Sequence, residues 1–172
     1  MLKIALGIII FIICSYIGFL YGETFRKRTV FLKEILKGLA ILQNDILYGA
    51  MPLPEALDNL SRKLMNPLNT FLSEVSKKLI DGSVDSVFDG ASLEYKNYEE
   101  EFYLYDEDKK VLEDFFRSLG ESGVYGQEKI FTLAIEGIKV NLKDSEEIAK
   151  KNVKLYRYLG ACIGGMIGIF IL

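Results

Sequence analysis

The chain contains no histidine. That absence removes the commonest general base, the commonest metal ligand and every serine–histidine or cysteine–histidine relay. Cysteine is nearly as scarce. Cys14 and Cys162 both lie inside uncharged apolar runs, where they read as small packing residues and offer neither a disulfide framework nor a zinc site. Proline occurs at only three places, Pro52, Pro54 and Pro67, each positioned as punctuation between helical patterns. The net charge of -3 provides no basic face for a nucleic acid. No G-x-x-x-x-G-K loop and no dinucleotide fingerprint is present. No stretch alternates with period two for long enough to compete as a strand. These absences exclude most enzyme classes and predict no catalytic residue, no cofactor, no metal ion and no small-molecule substrate.

What the chain has instead is apolar length at both ends. Ile4 to Gly22 and Tyr158 to Leu172 carry no charged side chain. Half the residues are hydrophobic and the mean hydropathy is +0.19, higher than an ordinary soluble domain shows. A bilayer core needs about 20 apolar residues of helix, and the first run supplies about 19. The second supplies about 15, enough where the bilayer thins and Arg157 and the terminal carboxylate snorkel. Lys3 alone would form a signal peptide's basic region, and no small-x-small cleavage site follows, so a retained anchor is expected. Arg26, Lys27, Arg28, Lys33 and Lys37 follow the first run, while Lys150, Lys151, Lys154 and Arg157 precede the second. Basic residues concentrate on the cytoplasmic side of spans. The expected organisation is a transmembrane helix over 1–22, a cytoplasmic helical domain over 23–157 and a transmembrane helix over 158–172. Both termini then lie outside, with Tyr21, Tyr156 and Tyr158 at the interface.

Between the runs the periodicity is helical throughout. Phe31, Ile35, Leu39, Leu42 and Ile46 form one stripe, ended by Gly49-Ala50-Met51-Pro52. Pro54 starts a second helix bearing Leu53, Leu57, Leu60 and Leu64. Asn66 is the expected cap of a third, with Pro67 first and Leu68, Leu72, Val75 and Leu79 inward. Asp81-Gly82-Ser83 offers a cap for a fourth, with Val84, Val87, Phe88 and Ala91 inward. Val111, Leu112, Phe115 and Leu119 mark a fifth, stopped by Gly120. A sixth begins near Tyr125, shows Ile130, Ala134, Ile138 and Leu142, and can run unbroken into the second apolar run. The expected fold is all-α, a bundle of about six helices flanked by one transmembrane helix at each end.

Two features suggest contact surfaces. Gly160, Gly164 and Gly168 recur at four-residue spacing, and Cys14, Gly18 and Gly22 do the same in the first run. Small-x-x-x-small ridges let membrane helices approach closely, so pairing of the two runs is the simplest use of both, with homo-oligomer contacts or an idle ridge as alternatives. The second feature is acidic. Glu94, Glu99, Glu100, Glu101, Asp106, Glu107 and Asp108 are interleaved with Tyr95, Tyr98, Phe102, Tyr103 and Tyr105. A solvated face is the simplest account. Docking to a basic partner, with Glu99, Glu100, Glu101 and Asp106 as candidates, is the functional one.

The segment Leu39-x-x-Leu42-x-x-Asp45-Ile46-x-Tyr48-Gly49-x-x-Pro52-Leu53-x-Glu55-Ala56-Leu57 resembles the first cytoplasmic signature of the stage III sporulation protein AB family. Leu119-Gly120-x-Ser122-Gly123-x-x-x-Gln127 resembles its second. Asp45 stands where that family usually has glutamate, and Gly123 where it usually has aspartate. The resemblance implies a component of the channel complex between mother cell and forespore. Its helical domain would be similar to the cytoplasmic repeats of type II secretion and type IV pilus platform proteins. Such proteins have no activity of their own; they receive a secretion-type ATPase and pass its motion to membrane partners. The implied location is the mother-cell membrane. A membrane-tethered helical sensor or adaptor is the competing expectation from another class.

Overall fold

Proline and glycine punctuation in mid-sequence becomes a set of short helices between two long ones. A computed structural model describes residues 2–119 and 124–171, and these form six helices with no strand. They are α1 (Leu2–Leu47), α2 (Leu53–Ser61), α3 (Leu68–Ile80), α4 (Val87–Phe102), α5 (Asp106–Ser118) and α6 (Val124–Ile171). The stripe from Phe31 to Ile46 is not a separate helix. It continues the N-terminal apolar run without a break, because nothing between Gly22 and Phe31 interrupts helical hydrogen bonding. One helix among the described residues, α1 near the N-terminus, is long and apolar enough to cross a membrane. Gly120, expected to stop α5, lies outside the described residues.

The described chain falls into two compact units, Met1–Thr29 with Lys143–Leu172, and Val30–Leu142. In the second unit α2 packs on α3, α3 on α4 and α4 on α5. Its core collects Leu32, Leu42, Leu57, Val75, Phe131 and Ile138, all nearly fully buried. An aromatic group of Phe31, Phe71 and Phe102 lies at its centre, Phe31 stacked on Phe102 with centroids 4.9 Å apart and Phe71 edge-on to Phe102 at 5.3 Å. Such pairs stabilise beyond the area they bury.

Polar ties fix the short helices. The Ser76 hydroxyl, buried in α3, donates to the Pro54 carbonyl at 2.8 Å. Glu34 accepts from the Met65 amide at 3.0 Å, and Lys37 donates to the Lys63 carbonyl at 3.0 Å. The helix starts differ from the sequence expectation in two places. Asn66 does not cap α3: Pro67 occupies the cap position, no side chain caps it, and the Asn66–Pro67 peptide is cis. The α4 cap is Ser86, not Ser83, its hydroxyl accepting from the Asp89 amide at 3.1 Å. Gly82 adopts φ 67° directly after the C-cap Asp81, the left-handed geometry that ends α3.

Candidate functional site

The acidic segment lies in the second unit, and the helix phase sorts its members. Ala91, Tyr95, Tyr98 and Phe102 recur at three- and four-residue steps, so α4 turns them towards the core. Tyr98 stacks on Phe102 at 5.9 Å and meets Phe71 edge-on at 6.1 Å. The simple account of this segment as one solvated face is therefore corrected. Glu94 is buried as well; it takes Lys78 at 3.1 Å and Asn97 at 3.1 Å. Asp108 is fully buried and accepts from the Tyr105 amide at 2.9 Å, closing the first turn of α5. A carboxylate there also complements the positive end of the helix dipole.

Of the four candidate docking residues, Glu99 is engaged within the unit. Lys109 donates to it at 2.8 Å, and Asp106 lies 3.8 Å from the same ammonium. That bond to Glu99 holds the Lys109 ammonium above the ordinary lysine range. Burial, as the leading cause, pushes the Tyr95 phenol upward. Glu100, Glu101 and Glu107 are exposed. Three carboxylates and the free side of Asp106 thus form an acidic edge around the α4–α5 turn, where Tyr103 adopts φ 51°.

The residues of the first signature serve several ends. Leu39, Leu42 and Leu57 are core residues, and Leu53 packs against them from the rim. Asp45 accepts from Asn59 at 2.8 Å and lies 3.6 Å from Lys63, joining the end of α1 to α2. A Cβ on Gly49 would lie 2.6 Å from the Asp45 carbonyl oxygen, so only glycine fits beneath that turn. Pro52 precedes α2 in extended geometry, while Tyr48 is 77% exposed and takes no part in the core. In the second signature Leu119 is buried and Gln127 half-buried; Gly120, Ser122 and Gly123 lie outside the described residues.

In the first unit the small residues of the two long helices meet. A Cβ on Gly18 would lie 2.6 Å from the Tyr156 carbonyl oxygen and 3.0 Å from the Gly160 Cα. One on Gly160 would lie 2.8 Å from the Cys14 carbonyl oxygen, and one on Gly164 3.1 Å from the Phe11 Cα. At Gly22 the nearest atom, Val153 Cα, is at an ordinary 3.5 Å. The surroundings of Gly168 lie outside the described residues. Tyr156 packs at 4.7 Å from Tyr21 and stacks on Phe25 at 5.6 Å. Arg157 donates to Glu23 at 3.2 Å and covers the Phe19 ring at 4.8 Å. Further along, Thr29 and the buried Ser145 share a hydrogen bond of 2.7 Å.

Among the described residues no group of histidine, cysteine, aspartate or glutamate could hold a metal ion. What they define is an all-helical protein with one helix fit to cross a membrane and a helical unit bearing an acidic edge. Comparison with known proteins narrows this class. The profile of the stage III sporulation protein AB family matches residues 3–172, and the chain belongs to that family. It is similar to stage III sporulation protein AB of Bacillus subtilis (strain 168), with 27% identity over 164 residues, 95% of each chain. It is also similar to a solved structure of stage III sporulation protein AB, with a TM-score of 0.66 and 26% identity, covering 72% of this chain and 96% of that one.

Proposed function

We propose that the chain is a non-enzymatic platform protein of the sporulation channel complex. In this reading a membrane helix at each end, over 1–22 and 158–172, anchors the helical region between them on the cytoplasmic side of the mother-cell membrane. That region receives a secretion-type ATPase and passes its motion to other channel proteins. The observation that carries the docking part is the division of labour among the acids. Glu94, Glu99 and Asp108 are spent inside the fold, whereas Glu100, Glu101 and Glu107 stay exposed around one turn. A one-signed edge beside aromatic side chains suits a basic partner surface, steering its approach and setting its register.

The test is co-purification from detergent-solubilised sporulating cells, with the full chain as bait. The variant Glu100→Lys/Glu101→Lys/Glu107→Lys spares the Glu99–Lys109 pair. Isolated exposed charges contribute only about 0–1 kcal/mol to stability, so its melting temperature should match the parent's. A secretion-type ATPase should co-purify with the parent and be lost from the variant. Retention by the folded variant would move docking elsewhere, and no ATPase with the parent would remove the ATPase from the reading.

A further inference from the structure

The second unit contains a cavity of about 390 Å³, within the usual size range of small-molecule sites, roughly 300–1,000 Å³. Its deep walls include Leu39, Leu42, Phe71, Leu72, Phe102 and Phe115, every one buried. Gly38 of α1 and Ala91 of α4 also line it, Gly38 lying close against Leu60 and Leu64. Its solvent-facing members, Ser92, Lys96 and Glu99 of α4 and Glu113 of α5, place the mouth between these two helices. Two contacts across the helices frame the mouth. Lys109 bonds Glu99 at 2.8 Å at one end, and Arg117 covers the Phe88 ring at 4.1 Å at the other.

The contents follow from elimination. A partner helix, with side chains about 10–12 Å across, cannot enter a space walled by buried core residues. Water suits it poorly, since a buried water needs about 2–4 polar partners and the walls are aliphatic and aromatic. An empty void forfeits dispersion contacts along its whole lining. A flexible apolar chain meets none of these objections. Two polar groups at the mouth then await a head group. The Tyr95 hydroxyl is shielded from solvent and completes no hydrogen bond of good geometry; the Lys109 ammonium, 5.6 Å from its ring centre, also acts on it while bonding Glu99. The next residue, Lys96, is exposed and, unlike Lys109, forms no ion pair among the described residues.

We propose that this cavity binds a single-chain amphiphile with an anionic head, a long-chain fatty acid. Its chain lies among the leucines and phenylalanines, and its carboxylate lies between Tyr95 Oη and Lys96 Nζ. The site stands independently of the ATPase reading, which concerns the acidic edge.

The full chain in phosphatidylcholine nanodiscs is titrated with a long-chain fatty acid carrying a diazirine, irradiated, and mapped by peptide mass spectrometry. Peptides from α4, α5 and the Ile35–Leu42 part of α1 should carry label, beside the label expected on Ile9–Leu20 from lipid-phase probe. Ser92→Trp plugs the mouth from α4 and Glu113→Trp from α5; two variants guard against one failing to fold. Either should abolish the label in these peptides while leaving that on Ile9–Leu20. Lys96→Gln should weaken labelling by the acid roughly tenfold, the worth of one charge-assisted bond, yet leave a diazirine alcohol of the same length unchanged. Label confined to Ile9–Leu20, equal label in a folded plug variant, or an unchanged Lys96→Gln response would each overturn the proposal.

Discussion

Leu57 shows how much one side chain decides here. It is fully buried on α2, a helix begun by two prolines and held to α3 by the Ser76–Pro54 bond. Leu57→Ala should cost roughly 2–5 kcal/mol, a large share of a marginal stability. A clearly lower melting temperature and a reduced cellular level are expected; an unchanged melting curve would mean the site collapses around the smaller residue. The acidic segment teaches the opposite lesson. Composition alone presents its carboxylates as equivalent, yet Asp108 is buried and accepts from the N-cap amide of α5, whereas Glu101 is exposed. The phase of Tyr95, Tyr98 and Phe102 was a legible signal for that sorting. The pairing of Glu94 with Lys78 was not, because those residues meet only after α3 packs on α4.

At the scale of elements, the glycines of the first unit make the sharpest prediction. Gly160→Ala places a methyl 2.8 Å from the Cys14 carbonyl oxygen, while Gly165→Ala enters open space. Both substitutions change helix propensity equally, so their difference isolates close approach. In disulfide cross-linking of cysteines introduced at Phe11 and Ile163, in a Cys14→Ser/Cys162→Ala background, Gly160→Ala should lower the yield and Gly165→Ala should not. Equal yields would return the ridge to an idle one. The helix starts follow a related logic. Ser83 and Asn66 are good capping residues by type, but a cap also needs the following amides turned towards it. Only Ser86 achieves that in α4.

For the molecule as a whole, the proposed topology rests on the basic residues that flank the two apolar runs. Ser83 is exposed on the turn after α3, so a cysteine there in the same background reports its compartment. It should resist an impermeant thiol reagent in intact cells and react after permeabilisation. Labelling in intact cells would place the helical region outside and remove ATPase docking with it.

The sequence by itself determined that the chain is helical, that α2 and α3 begin at its prolines, and that Leu39, Leu42, Leu57 and Leu60 are core. The physical reason is local: periodicity of 3.6, fixed proline geometry and chain reversal at glycine act within a few residues. The two signatures were equally legible, being linear. The tertiary structure alone decided which acids remain available, that Asp45 clamps α2 through Asn59 and Lys63, and that a cavity remains behind Tyr95 and Lys96. Each of these depends on which helices become neighbours, a choice set by side chains far apart in the chain and invisible to any local pattern.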